Sequence, residues 1–189
     1  MRWGFKTEAR QIATEVRTEL GLEPLDRLDA YRLAAHLDIP LVAASSLEPA
    51  APEAVRHVCG ADTRAFSAAV ILLGSRRVVL YNDAHAPTRQ QSDLCHELAH
   101  ALLLHASSEP LVIAATYDTE QEAEAAWLGA ALLVTDEACL DTCRRGQDVG
   151  EAALQFGVSP DLMRWRINST GAQRRIARSR AAQGQSAYP

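Results

Sequence analysis

The sequence His96-Glu97-Leu98-Ala99-His100 decides how this chain is interpreted, because it places two imidazoles and a carboxylate within one helical turn. On an α-helix, residues four apart lie one above the other, with about 5–6 Å between their Cβ atoms. His96 and His100 can therefore reach one metal ion, and zinc suits imidazole nitrogen. Glu97 then lies beside the ion, where it can take a proton from a water acidified by the metal. The alternative is that both histidines are core residues and Glu97 is a surface acid.

The residues around this segment predict that it is helical. Thr88 and Gln91 form a potential capping box, so we expect a helix that starts at Thr88 and continues to about His105. Apolar residues recur along it at Leu94, Leu98, Ala101 and Leu102. Two histidines and a glutamate in such an apolar helix need binding partners. Cys95 lies about 100° from His96 around the helix and is expected to face elsewhere.

A catalytic zinc site needs a third protein ligand and one open position. The longer form of the motif has a third histidine six residues after the second, but this chain has Ala106 there. His105 points about 140° away from His100, so we interpret it as a packing or hydrogen-bonding residue. The third ligand should therefore come from another helix, and a helix predicted over residues 119–134 carries Glu120, Glu122 and Glu124.

Helical geometry favours Glu122 among these three acids. It shares a face with the small residues Ala125, Ala126 and Gly129, which allow another helix to approach closely. A carboxylate on such a face is unfavourable unless it binds a metal or a hydrogen-bond donor. Glu124 is the second choice, and Glu120 lies in the first turn, where acids favour the helix dipole. The alternative for Glu122 is that it completes a capping box with Thr119.

The rest of the chain carries the patterns of further helices and of a few short strands. We expect a hairpin turn at Gly74-Ser75 and an edge position for the strand that contains Pro40. The predicted elements are a helix over residues 7–20, a short helix over 29–37, a strand over 39–42, a loop with one helical turn over 43–63, and strands over 65–73 and 77–81.

The C-terminal part resembles a helix-turn-helix pair, with helices over residues 149–156 and 161–168 around a turn at Gly157. We therefore divide the chain into a zinc metallopeptidase-like domain at 1–145, a C-terminal helical extension at 146–180 and a flexible tail at 181–189. Residues 164–180 carry a basic stretch that could contact DNA weakly; its arginines are Arg164, Arg166, Arg174, Arg175, Arg178 and Arg180. The alternative, which we favour, is that the helix pair packs on the metallopeptidase-like domain and that the arginines form a solvated face.

Composition excludes several classes of protein. The chain has 189 residues, with 19 Lys and Arg against 24 Asp and Glu, so bulk charge does not favour nucleic acid. No apolar run is long enough to span a membrane and no export signal is apparent, so we expect a cytoplasmic protein. Its four cysteines are then expected to be free thiols, including Cys139 and Cys143, whose spacing alone does not make a metal site.

These features together resemble the ImmA/IrrE family of bacterial zinc metallopeptidases. The resemblance rests on residues 78–82, 89–105 and 122–133, and alignment of Leu132-Leu133 places the family's zinc-binding glutamate at Glu122. It implies a gluzincin-like metallopeptidase with an α+β fold, in which a small twisted, mainly antiparallel sheet packs on helices and the active-site HExxH helix lies beneath the sheet. Ala126, Leu128 and Val134-Thr135 depart from the family pattern. The missing polar side chain at Ala126 weakens support for a metal ligand, so zinc binding is better supported than full catalytic rate.

We therefore expect a zinc-dependent endopeptidase that binds one ion through His96, His100 and Glu122 and uses Glu97 as its base. Its substrate would be a protein, by resemblance a helix-turn-helix repressor of the XRE/Cro-cI type, lying extended along the 77–81 strand. Tyr81 or Tyr117 could stabilise the oxyanion. Two alternatives remain open: a DNA-binding regulatory protein that uses its C-terminal helix pair, and a zinc-stabilised interaction protein without turnover.

Overall fold

The computed structural model describes residues 1–60, 66–73, 76–105 and 118–185. Their fold is α+β, as the sequence predicts, and is mostly helical. In chain order the elements are α1 (Phe5–Glu19), α2 (Ala30–His36), β1 (Leu41–Ala43), a short 3-10 helix (Ala44–Leu47), α3 (Pro52–Cys59), β2 (Ala68–Leu73), β3 (Arg76–Tyr81), α4 (Pro87–Leu102), α5 (Thr119–Leu133), α6 (Asp136–Arg145), α7 (Val149–Phe156), α8 (Pro160–Thr170) and α9 (Ala172–Gln185).

The three strands form one mixed sheet in which β3 is central. β1 pairs with β3 in parallel, and β2 pairs with it antiparallel, with Val70 opposite Val79. The edge position predicted for the strand after Pro40 is confirmed. The predicted turn at Gly74-Ser75 lies outside the described residues. The expectation that a substrate pairs with the 77–81 strand is wrong, because both edges of β3 are already occupied by neighbouring strands.

Helices α4 and α5 pack closely against each other at the centre of the molecule. A Cβ added at Gly129 would lie 2.9 Å from the carbonyl oxygen of Cys95, so the two backbones are almost in contact. The side chain of Cys95 is fully buried, as expected for a residue that does not face the solvent side of α4. The small-residue face of α5 therefore does what its sequence predicts and lets α4 approach. Leucines of both helices complete the core around this contact: Leu94, Leu98, Leu128 and Leu132.

The start of α4 differs from the prediction, whereas α5 begins at Thr119 as predicted. α4 begins at Pro87, whose fixed φ suits the first helical position, and no side chain caps it, so the predicted capping box at Thr88 is wrong. Gln91 instead accepts a hydrogen bond from the backbone N–H of Ala30, 2.8 Å away, and joins α4 to α2. α5 is capped by Asp118 in a capping box with Gln121, so Glu122 is not needed as a cap.

The segment 43–63, predicted as a loop with one helical turn, contains both the 3-10 helix and the two-turn helix α3. Pro52 starts α3, and Val55 is its buried residue. Asn82, which follows β3, is buried and donates from Nδ2 to the carbonyl oxygens of Val58 at 2.8 Å and Phe66 at 3.1 Å. Its role is therefore a structural one at the end of the strand.

The C-terminal helices pack on the rest of the protein. α7 has the predicted bounds, and α8 extends the predicted second helix by one or two residues at each end. α9 continues through Gln185, so residues 181–185 are helical where a flexible tail was expected. Arg166 is buried and donates to the carbonyl oxygen of Val134 and to Asp136 Oδ1, each at 2.9 Å. It is therefore wrong to include Arg166 among residues that could contact DNA.

No helix in the described ranges combines the length and the hydropathy required to cross a lipid bilayer.

Candidate metal centre

His96 and His100 on α4 face Glu122 on α5. The two imidazole Nε2 atoms lie 3.1 Å apart, and the Nε2 atom of His96 lies 3.2 Å from Glu122 Oε2. The Nε2 atom of His100 lies 3.7 Å from Glu122 Oε1. One possible ligand atom from each residue falls within 4.8 Å of the others. The structure thus brings together the three residues that the sequence selects as ligands.

The spacing of these three atoms fits a single divalent ion. Three ligand atoms that each bind a tetrahedral zinc at about 2.0–2.1 Å lie about 3.3–3.4 Å from one another. The two Nε2 atoms are 3.1 Å apart, His96 Nε2 lies 3.2 Å from Glu122 Oε2, and His100 Nε2 lies 3.7 Å from the other carboxylate oxygen, Oε1, so each separation is close to this value. Two imidazole nitrogens and one carboxylate oxygen are also a donor set that zinc accepts. His96 and Glu122 are 27% and 47% exposed, so the centre opens to solvent on their side.

Glu97 lies against the edge strand of the sheet. Its Oε2 atom accepts a hydrogen bond from the backbone N–H of Val70 in β2, 3.1 Å away. Burial raises the pKa of Glu97 to about 7, while the hydrogen bond from Val70 lowers it and the charge of Glu122 raises it further. A carboxyl group with a pKa near neutrality can both take and release a proton under ordinary conditions, which suits a general base and acid.

The other side of His100 is closed by a chain of buried polar residues. Its Nδ1 atom lies 2.9 Å from His105 Nδ1, which confirms the hydrogen-bonding interpretation of His105. The Nε2 atom of His105 lies 3.7 Å from Glu124 Oε2. Glu124 in turn accepts hydrogen bonds from the backbone N–H and the Nε atom of Arg2, each at 2.9 Å. The sequence gives no indication of Arg2, because its partner is 122 positions away.

The titration of these buried groups follows from their surroundings. Burial lowers the pKa of His100 to about 3, and the neighbouring His96 and His105 lower it further. Burial also raises the pKa of Glu124, but the hydrogen bonds from Arg2 outweigh it and leave the pKa below its ordinary value. In the metal-free protein, His100 is therefore neutral and Glu124 is ionised near neutral pH.

The three acids at the start of α5 are now distinguished by position. Glu122 faces the two imidazoles, whereas Glu124, the second candidate, lies behind His105 and is 3% exposed. Glu120 is 54% exposed and makes no contact with the two histidines in the described structure. The helix places residues 122 and 124 about 200° apart, so only one of them can face α4 at this point.

The tyrosines considered for the oxyanion are not brought to the centre by the described structure. Tyr81 ends β3 and packs edge-on against Tyr31, with ring centroids 5.9 Å apart. The hydroxyl of Tyr31 donates to Gln90 on α4, 2.7 Å away. Tyr117 lies outside the described residues. The oxyanion role therefore stays a prediction for both.

A surface depression of about 270 Å³ lies beside His96. Its walls come from α4, α5 and α8, and α8 contributes Leu162 and Trp165. Ala126, where the sequence departs from the family pattern, is part of the same wall. The C-terminal helices therefore border the candidate centre directly, in agreement with the expectation that the helix pair packs on the metallopeptidase-like domain.

A helix carrying HExxH against a second helix carrying a glutamate, beneath a small sheet, is the arrangement of a metallopeptidase-type protein. The family model for Peptidase_M78, described as the IrrE N-terminal-like domain, matches residues 46–168. Because the match covers more than half of the chain, including all of α4 and α5, the protein belongs to this family, as the resemblance predicts. No curated protein matches the chain in a sequence comparison.

Proposed function

We propose that this protein is a zinc-dependent endopeptidase that cleaves a regulatory protein. The observation that carries the proposal is the position of Glu97, which β2 holds next to the cluster of His96, His100 and Glu122. Membership of the IrrE N-terminal-like family supports a metallopeptidase-like role. The zinc, the cleavage and the substrate are the parts that we propose.

The side chains of His96, His100 and Glu122 would hold the ion. When bound, a divalent ion supplies Lewis-acid chemistry, polarising a carbonyl group and making a water more acidic. The remaining chemistry belongs to Glu97. Because Val70 occupies Glu97 Oε2, the Oε1 atom is the one available to take a proton from the attacking water. The same carboxyl group then passes that proton to the amine that leaves when the peptide bond breaks.

The substrate would lie along β2. In the described structure β2 pairs only with β3, so its other edge has peptide groups available for a partner. Alternate residues of an antiparallel strand direct their peptide groups to the same edge, so Ala68 and Leu72 share the outward direction of Val70. An extended peptide that adds to this edge would be carried past Glu97. The depression lined by Leu162 and Trp165 would accept an apolar side chain of that peptide.

We propose a helix-turn-helix repressor as the substrate, on the basis of the family resemblance in the sequence. The four cysteines are free thiols, which fits a reducing compartment, and we place the protein in the cytoplasm.

A DNA contact by the protein itself would have to use the exposed arginines of α8 and α9, such as Arg164.

Co-expression with a candidate repressor tests the proposal. Glu97→Gln keeps the hydrogen-bonding shape but cannot act as a base, so it should retain the metal and lose cleavage. His100→Ala should lose both the metal and the cleavage activity. Glu120→Gln, an exposed neighbour of Glu122, should behave as the wild type. Elemental analysis of each purified variant and immunoblotting of the repressor provide the two measurements.

Each outcome distinguishes one part of the proposal. Cleavage retained by Glu97→Gln would contradict the role of Glu97 as the base. Metal retained by His100→Ala would contradict the ligand set. If the wild type binds metal stoichiometrically but leaves the repressor uncleaved, the interaction protein without turnover becomes the better description.

A further inference from the structure

We propose that Glu124 and His105 are positioning residues that fix the tautomer of His100, so that its Nε2 atom presents a lone pair to the metal centre. The inference rests on the proposed function, since it assumes that His100 is a metal ligand. It deepens that function by giving a role to a buried chain of groups behind the ligand. Three contacts carry it, and each determines the direction of the next hydrogen bond.

The chain begins at the carboxylate of Glu124. Arg2 donates to Glu124 Oε1 from its backbone N–H and from Nε, each at 2.9 Å, and the same Nε lies 3.2 Å from Oε2. Glu124 is almost completely buried, so these contacts are not replaced by solvent. A carboxylate paired with a guanidinium is an acceptor only. Any group that approaches it from the other side must therefore present a hydrogen.

His105 approaches Glu124 from that side. Its Nε2 atom lies 3.7 Å from Glu124 Oε2, beyond a direct hydrogen bond but close enough for the charge to matter. A lone pair directed at a carboxylate is repelled, whereas an N–H is attracted, so the hydrogen belongs on Nε2. A neutral imidazole carries one N–H, and Nδ1 of His105 is then an acceptor.

His100 supplies the hydrogen that this acceptor needs. The Nδ1 atoms of His105 and His100 lie 2.9 Å apart, so His100 donates through Nδ1–H. Its Nε2 atom therefore carries the lone pair, which can accept a hydrogen from His96 Nε2, 3.1 Å away. Glu122 Oε1 lies 3.7 Å from the same atom and favours a hydrogen there, but this carboxylate is 47% exposed and solvent screens its charge, whereas Glu124 is 3% exposed. Metal-binding histidines commonly donate their second nitrogen to a neighbouring acceptor, which orients the ring and fixes the tautomer. Here the acceptor is a second histidine, His105, and Glu124 determines which of its ring nitrogens carries the hydrogen.

Glu124→Gln should reverse the chain without changing its shape. Arg2 makes its two shorter bonds to Oε1, so the amide oxygen of a glutamine would take that place. The amide NH2 group would then take the place of Oε2 and face His105. An N–H donor there favours a lone pair on His105 Nε2 and a hydrogen on His105 Nδ1. His100 would become the acceptor at Nδ1 and carry its hydrogen on Nε2, where it opposes metal binding.

The tautomer of His100 can be measured in the metal-free protein. Two-bond 1H–15N correlation spectra at mildly alkaline pH distinguish an Nδ1–H from an Nε2–H imidazole. We expect His100 to be the Nδ1–H form in the wild type and in Glu120→Gln, and to shift toward the Nε2–H form in Glu124→Gln. A wild-type His100 in the Nε2–H form would overturn the inference, whatever the protein does with metal.

Zinc affinity provides the second readout, measured by competition with a chromophoric chelator. Loss of an outer partner of a metal-binding histidine lowers affinity by about 10–100-fold, and we expect this loss in Glu124→Gln and His105→Leu. His105→Gln should recover part of the lost zinc affinity, because its amide oxygen can accept from His100 without help from Glu124. In the His105→Gln variant, adding Glu124→Gln should cause little further loss of zinc affinity.

The results separate this inference from the proposed function. If His96→Ala and His100→Ala bind zinc as tightly as the wild type, the metal centre is wrong, while the tautomer spectra still decide the hydrogen-bond chain. If those variants lose zinc but Glu124→Gln changes neither the tautomer nor the affinity, the positioning role is wrong and the centre stands. Thermal unfolding of each variant establishes that the fold is kept.

Discussion

The backbone of Gly129 lies against the carbonyl oxygen of Cys95, where an added Cβ would be only 2.9 Å from that oxygen and 3.1 Å from the backbone nitrogen of His96. These contacts are with backbone atoms, which cannot rotate away as a side chain would. The distance between α4 and α5, and with it the distance from Glu122 to the two imidazoles, therefore depends on residue 129 having no side chain.

Gly129→Ala should push the two helices apart. Overpacking in a closely packed core lowers the free energy of unfolding by about 1–3 kcal/mol, and we expect zinc affinity to fall as well. Urea denaturation and chelator competition measure the two effects. Ala123→Ser, an exposed change on the same helix, should stay within about 0.5 kcal/mol of the wild type. A Gly129→Ala variant with unchanged zinc affinity would show that the helix separation does not control the centre.

The pH dependence of stability should carry the signature of Glu97. Its pKa is raised from the ordinary 4.5 to about 7 in the folded protein, so the unfolded chain releases its proton at a lower pH than the folded one. The contribution of Glu97 to stability is therefore present below about pH 4.5 and is lost as the pH rises through about 7. The loss amounts to at most about 3 kcal/mol.

The difference between wild type and Glu97→Gln isolates this effect. The comparison is needed because His100 acts in the opposite direction: its pKa is lowered to about 3, so its contribution is lost as the pH falls. Denaturation of both metal-free proteins at several pH values measures the difference. A difference that is the same on both sides of neutrality would mean that Glu97 has an ordinary pKa.

Arg166 should be far more important for stability than its exposed neighbour Arg164. Removing one partner of a buried ion pair costs about 3–5 kcal/mol, and Arg166→Met leaves Asp136 with Arg10 as its remaining cation, so we expect the lower part of that range. Arg164→Gln breaks only a surface pair with Asp161 and should cost about 0–1 kcal/mol. Urea denaturation checks both. Equal effects would contradict a structural role for Arg166.

Trp165 should affect substrate choice without affecting the metal. It lines the depression beside His96 from α8, and it packs against Trp127 with ring centroids 5.2 Å apart. If the protein is a peptidase, Trp165→Ala should change which side chains are preferred next to the cleaved bond, while zinc affinity is retained. Cleavage of a peptide library, analysed by mass spectrometry, measures the preference. Leu154→Ala, an exposed change on α7, is the control and should leave the profile as it is.

The parts of the structure that the sequence predicts are those set by local periodicity. The HExxH helix and its partner are long and regularly apolar, and the four-residue spacing of His96 and His100 is a property of any helix. Glu122 can be chosen from the sequence because it shares a helix face with small residues, and a face of small residues is where a second helix packs closely. The helix start at Pro87 was missed because two signals for a start stand side by side there.

The parts that the sequence does not predict depend on distant pairs. Nothing near Arg2 or Glu124 indicates that they meet, since 122 positions separate them. The central place of β3 depends on which strands pair, and alternation along one strand does not determine this. α9 is strongly polar and is held by packing against α6 and α8, so its helical state was obscured by its composition.

The hydrogen bond from Val70 to Glu97 has a consequence for any chain that aligns with β2. The N–H of Val70 on this edge already donates to Glu97, and in the described part of the chain no other backbone N–H of β2 donates to that carboxylate. A bound peptide strand could therefore pair with β2 before and after this position, but it would find no backbone donor at Val70. The peptide backbone would be free to bend at that one position, which lies directly opposite Glu97.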